Sequence, residues 1–415
     1  MQHRTSNISP DKPLSGGPRR EGSGNYRQGL HGGEILKAAA RIGIAPDKIL
    51  DFSSNTNIFA LSTTERLVRG YNYNYQRYPE SGCPALTRAI AKFEGLEPEN
   101  ILCGNGAADL IWLTLRALAP SSVLFLGPVF SEYVRACKAL GIQYEIIETS
   151  PKEEFACTPE VLSRLWESRP ELAIICSPNN PGAIAYSNLG KIMSALRAPR
   201  ILTDLSYRDF LRGTPEHAAH CWSSLSKMCG RGTEIISLHS FTKFFCCPGI
   251  RLGYLVGAPM TIARFAQQAP AWSVSQLAQD MGLAFLEHIE EYDASLAPMR
   301  QARYEFGIGL RRLPLFDPEL VLEGPNFFCC GISAGYLRAA NSATQDLRDY
   351  ANATPDSSGR IRIGNAGELQ SFLLQNGILV RDCDNIPGMP EGFVRIQVRS
   401  TADNDRLLEA LQRAL

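Results

Sequence analysis

Between residues 100 and 257 short apolar runs alternate with segments of helical periodicity, and this alternation leaves little choice of fold. The runs are Ile101-Leu102-Cys103, Val123 to Leu126, Tyr144 to Ile147, Leu172 to Ile175, Ile201-Leu202-Thr203, Ile235 to Leu238 and Tyr254-Leu255-Val256. Strands that alternate with helices predict an α/β fold, one seven-stranded, mostly parallel sheet covered on both faces. Ligands of such sheets bind beyond the carboxyl ends of the strands. The polar residues that follow each run are therefore the ones to search for chemistry.

The stretch after the sixth run is Ser240-Phe241-Thr242-Lys243, with Arg251 eight residues beyond the lysine. A partly buried lysine near cations has a lowered pKa and so offers the free amine that an aldehyde needs. Ser240, Thr242 and Arg251 add two hydroxyls and a planar cation, groups that grip a phosphate. Together the four residues read as a site for pyridoxal phosphate. Gly104-Asn105-Gly106-Ala107-Ala108-Asp109 leaves the first strand and opens a helix over Leu110 to Leu118. Helix N-termini offer unpaired N–H groups to a phosphate, and Gly106, Ala107 and Ala108 are the expected backbone donors. Asp204 ends the fifth strand, where a buried carboxylate needs a partner; the protonated ring nitrogen of the cofactor would supply one, and a helix N-cap is the alternative.

The lysine stretch, the Ser177-Pro178-Asn179-Asn180-Pro181-Gly182 turn and the Asp204-Leu205-Ser206-Tyr207 segment resemble fold-type I pyridoxal-phosphate enzymes of the class I/II aminotransferase superfamily. The resemblance implies that Lys243 carries the cofactor covalently, that Asp204 holds its ring nitrogen, and that Asn180 and Tyr207 share its phenolic oxygen. It makes Phe130 the aromatic stacked on the ring, where a core phenylalanine is the alternative. It also implies a homodimer in which Tyr78, in Arg77-Tyr78-Pro79-Glu80, reaches the neighbour's cofactor phosphate; an ordinary interface tyrosine is the other reading. Relatives commonly carry asparagine where Ser275 stands, on the substrate side.

Within that superfamily, His31-Gly32-Gly33, Arg381-Asp382-Cys383 and Val398-Arg399 resemble the threonine-phosphate decarboxylases of cobalamin synthesis more than the histidinol-phosphate aminotransferases. The resemblance implies that His31 and Arg381 hold a substrate phosphate, that Arg395 clamps the α-carboxylate and that Asn55, in the Ser53-Ser54-Asn55-Thr56-Asn57 turn, contacts the substrate. In Phe393 to Arg399 alternation sends Val394, Ile396 and Val398 to a core face and Arg395 and Arg399 to the other, and Arg399 is expected on a solvated strand face. The implied reaction is decarboxylation of O-phospho-L-threonine or O-phospho-L-serine to an amino-alcohol phosphate. A histidinol-phosphate-type aminotransferase is the rival, and a non-catalytic pyridoxal-binding regulator a remote one.

Composition narrows the partners. Lys plus Arg and Asp plus Glu each total 42 in 415 residues, so the formal net charge is zero and no footprint for nucleic acid appears. No apolar run reaches about 18 residues, and no apolar stretch follows the basic N-terminal residues, so a cytoplasmic protein without membrane contact is expected. The twelve cysteines have no C-x-x-C spacing, so reduced thiols and no metal site are expected. Residues 1–29, rich in Arg, Ser, Gly and Pro, predict a flexible arm. Residues 30–65 then form an N-terminal segment packed with the small domain, 66–295 the large cofactor-binding domain, and 296–415 a smaller α+β domain with an insertion near 330–366.

Overall fold

The computed structural model describes residues 32–73, 75–228, 232–336 and 363–413. All seven apolar runs become strands of one sheet: β2 (Ile101–Gly104), β3 (Ser122–Leu126), β4 (Gln143–Ile147), β5 (Leu172–Cys176), β6 (Arg200–Asp204), β7 (Glu234–Ser240) and β8 (Gly253–Gly257). Their order is β2-β8-β7-β6-β5-β3-β4, with β8 antiparallel to both neighbours and every other pair parallel. The central strands β5 to β8 are buried almost throughout, because apolar clusters cover both faces. A parallel sheet of this kind has its polar strand ends on one edge.

A second, four-stranded antiparallel sheet follows, ordered β12-β13-β10-β9 from β9 (Phe316–Glu323), β10 (Phe327–Ile332), β12 (Arg381–Asp382) and β13 (Phe393–Gln397). The helix Leu296–Arg312 packs through Phe306 and Leu310 into the same apolar cluster as Phe328 and Ile396. Near the start of the described chain, β1 (Leu50–Asp51) pairs in parallel with β11 (Ile378–Leu379), so the segment 50–57 lies beside the C-terminal sheet. Two further backbone bonds, Phe52 N to Leu379 O and Gln397 N to Phe52 O, carry that segment on between β11 and β13. Most of the insertion falls outside the described residues, as does the arm 1–29. No helix among the described residues is long and apolar enough to cross a membrane.

Candidate active site

The carboxyl ends of β5, β6 and β7, the start of the helix Gly106–Leu118 and the second sheet enclose a cavity of about 380 Å³. Lys243 enters it from the short helix Phe241–Phe244, which Ser240 caps by accepting the Thr242 N–H at 3.2 Å. The Lys243 ammonium donates to the Ser54 carbonyl at 2.7 Å. Burial, then the cations Arg395 and Arg251, lower its pKa to about 8, against the opposing pull of Asp51. The amine is thus far closer to neutrality than a surface lysine.

From the same short helix and its cap, the Ser240 and Thr242 hydroxyls lie 2.7 Å apart and line the cavity with Arg251, Ala107 and Ala108. Gly106 has φ of +83°, and a Cβ there would stand 2.5 Å from the Arg251 guanidinium. At Gly253 an added Cβ would meet His239 O at 2.8 Å and Ala107 N at 3.0 Å. Two glycines therefore let the helix N-terminus and the arginine close on one small volume, a cup of N–H, hydroxyl and guanidinium donors. Gly106 shapes this cup without facing the cavity.

At the cavity floor Asp204 is buried, and burial raises its carboxyl pKa. Two donors counter that: the Tyr133 hydroxyl reaches Oδ2 and the Ser206 N–H reaches Oδ1, each at 3.0 Å. Asp204 thus has partners within the chain, which the argument from burial alone overlooked. Tyr133 was not anticipated, since 71 residues separate it from the aspartate and a tyrosine inside an amphipathic helix reads as core. Its ring also lies edge-on to Phe130, 6.5 Å away, which stands 39% exposed on the cavity wall and is no core residue.

Another wall of the cavity is built by the second sheet. In register, Arg381 of β12 faces Arg395 of β13, and both line the cavity at 4% and 6% exposure. Arg381 donates to Asn385 Oδ1 at 2.7 Å, and burial followed by Arg395 depresses its pKa. Arg395 donates to Ser53 O at 2.6 Å and to the Asn180 side chain, while its Nε is buried without a partner. Tyr207 and Asn180 share the cavity wall, but the Tyr207 hydroxyl accepts from Asn55 Nδ2 at 3.4 Å.

Two expectations, those for Asn55 and Arg399, need correction. Asn55 is buried beneath the cavity rather than on its surface, because its φ of +56° turns the side chain to Tyr207; Ser53 and Ser54 line the cavity in its place. Ser275 caps the helix Gln276–Glu287 by accepting the Ala278 N–H, and takes no part in the cavity. Arg399 is not on a solvated face: it is ion-paired with Asp403 at 3.1 Å, donates to Asp51 O and covers the Phe52 ring. Tyr78 lies outside this chain's cavity, 81% exposed and against Trp272 with ring centroids 4.9 Å apart. His31 lies outside the described residues. Its neighbour Gly32 crosses the cavity mouth, where a Cβ would meet Ser53 O at 2.4 Å and the Arg395 guanidinium at 3.0 Å.

Residues 47–411 match the family described as aminotransferase class I and II. The chain is 29% identical to threonine-phosphate decarboxylase of Salmonella typhimurium over 93% of its own length and 96% of that protein. It is 23% identical to an adenosylcobalamin biosynthesis bifunctional protein of Leptospira interrogans, over 92% of this chain and 40% of that longer one. Among solved structures, histidinol-phosphate aminotransferase of Sinorhizobium meliloti in complex with pyridoxal-5'-phosphate superposes with a TM-score of 0.68 at 16% identity, covering 94% and 96% of the two chains.

Proposed function

The chain belongs to the aminotransferase class I and II family, and we propose from that premise that it is a pyridoxal-phosphate-dependent decarboxylase of O-phospho-L-threonine or O-phospho-L-serine. The observation that carries the reading is the pair of buried arginines, Arg381 and Arg395, register partners that line the same cavity as Lys243. Two planar cations in one small cavity fit a substrate with two anionic groups, and the first relative acts, by its name, on such a compound.

The cavity fits pyridoxal phosphate on its own chemistry. The cup of Ser240, Thr242, Arg251 and the Ala107 and Ala108 amides would hold the phosphate, Asp204 the ring nitrogen, and Phe130 one ring face. Asn180 and Tyr207 would stand at the phenolic oxygen. Lys243 would carry the cofactor until the substrate's amine replaces it, and the cofactor so joined to the substrate would supply an electron sink for the pair left on the α-carbon when carbon dioxide departs. Arg395 would hold the carboxylate, and Arg381 with His31 the phosphate, so that the substrate cannot rotate about its nitrogen to α-carbon bond. That rotation selects the bond that breaks. The Lys243 amine, freed from the cofactor by the substrate's own amine, would then deliver a proton to the former α-carbon. Tyr78 would complete the partner's site in a homodimer. The amino-alcohol phosphate would enter the nucleotide loop of a cobalamin in the cytoplasm, in keeping with the named role of the Leptospira relative.

The test is to incubate the enzyme, without any keto acid, with O-phospho-L-threonine, O-phospho-L-serine and histidinol phosphate. The expected result is many turnovers of carbon dioxide from a phospho-amino acid. Conversion of one equivalent of cofactor to its amine form by histidinol phosphate, with no carbon dioxide from the others, would establish an aminotransferase instead.

A further inference from the structure

Behind the cavity lies a buried ionic cluster none of whose members lines it. Arg208 follows Tyr207 directly, yet its guanidinium points away from the cavity. It forms a two-pronged pair with Glu94 of the helix Pro84–Glu94, at 2.7 and 2.9 Å, and a third bond to Asp209 at 3.1 Å. The Arg208 and Glu94 side chains are 1% and 3% exposed. Glu94 also accepts the Tyr254 hydroxyl at 2.5 Å. Tyr254 of β8 in turn lies flat on His239 of β7, its register partner, with ring centroids 4.5 Å apart and planes 3° from parallel.

Three of its members adjoin segments at the cavity, and Glu94 ties two of them together through its bonds to Arg208 and Tyr254. Arg208 ends the turn that carries Asp204 and Tyr207, His239 precedes Ser240, and Tyr254 follows Gly253, the glycine against which Ala107 packs. Although burial opposes it, Arg208 holds the Glu94 carboxyl down to about 2, so the pair stays charged at any working pH. Burial, followed by the Arg208 charge, lowers His239 to about 3 and keeps that ring neutral against Tyr254. A buried pair of this kind adds little net stability over an apolar pair of equal volume, but its two-pronged geometry admits only one register between the elements it joins.

We propose that Arg208 and Glu94 are positioning residues that set the spacing between the Asp204–Tyr207 turn and the phosphate cup of Ser240, Thr242 and Arg251. This rests on the reading that those segments hold pyridoxal phosphate. The test compares Glu94→Gln, Arg208→Lys and the double variant Glu94→Leu/Arg208→Met with wild type. For each, the dissociation constant for pyridoxal phosphate, the melting temperature of the apoenzyme, and kcat and KM are measured. Leu310→Ala, in the core of the second sheet, serves as a variant destabilised elsewhere. The expected result is a cofactor dissociation constant raised about tenfold or more in all three cluster variants, and a cofactor affinity within about twofold of wild type in Leu310→Ala despite its lower melting temperature. The double variant keeps the expectation testable if a single one does not fold, since it removes both charges of the two-pronged pair together, and Asp209, which loses Arg208, keeps His217 at 3.7 Å. A double variant that folds and binds the cofactor as wild type does would overturn the proposal and leave the pair a structural one. Failure of the wild type itself to bind pyridoxal phosphate would instead overturn the reading of the site.

Discussion

Lys243 owes its chemistry to being buried among cations, and the same placement has a thermodynamic signature. Its pKa is about 8 in the fold against an ordinary 10.5. Between those values the unfolded chain binds the proton and the folded chain does not, so the lysine's contribution to stability rises with pH across that window. Below pH 8 the fold must hold a buried charge, at a penalty on the order of 3 kcal/mol for a shift of this size. Lys243→Met apoenzyme should therefore melt above wild type at pH 7, with the gap closing towards pH 10; a gap independent of pH would show that the lysine is not buried as described. Tyr133 offers a second test at this scale. Tyr133→Phe removes one of the two donors on Asp204 and should lower kcat about ten- to a hundredfold, the worth of a hydrogen bond to a charged group, with KM nearly unchanged. Unaltered kcat would leave Tyr133 a packing residue.

Among the elements, the legible ones were those whose burial is uniform. β5 to β8 are covered on both faces, so their sequences are continuous apolar runs that need no knowledge of distant contacts, and the residues at their ends could be read as a site. What escaped depends on a single backbone angle or on a distant partner. Asn55 has the composition of a binding turn, but its left-handed φ aims the side chain at Tyr207. Arg399 alternates with the core residues of β13 as a solvated residue would, and only the proximity of Asp403 and of β1 draws it inward. Residues 384–389 gave no signal, although they supply Asn385 to Arg381 and Ile386 to the cavity. Among them, burial first and then Asp382 raise the Asp384 pKa to about 6, while its Oδ1 accepts the Gly392 N–H at 2.7 Å. Between the ordinary value of 3.8 and 6 the folded state holds the extra proton, so stability from this group is present at low pH and lost as pH rises through that window. Asp384→Asn keeps the acceptor and removes the charge. It should raise the melting temperature at pH 7.5 and leave it nearly unchanged at pH 4; no gain at pH 7.5 would contradict this account of the loop.

Across the whole molecule, the cavity is made by chain segments far apart in sequence. The first sheet brings Lys243, Asp204 and the cup of Ser240, Thr242 and Arg251, the second brings Arg381 and Arg395, and the segment 50–57, pinned by β1 and β11, passes between them to meet both Lys243 and Arg395. In the proposed reading a substrate held between the two sheets would be gripped by its two anions, so that the bond to the carboxylate breaks rather than the bond to the α-hydrogen. The most direct measurement is nuclear magnetic resonance of O-phospho-L-threonine, labelled with carbon-13 in its carboxyl group and turned over in heavy water without a keto acid. The account predicts that the label leaves as carbon dioxide over many turnovers and that the amine product carries one deuterium at the former α-carbon. Label retained in a keto acid, or exchanged substrate with no carbon dioxide, would contradict it.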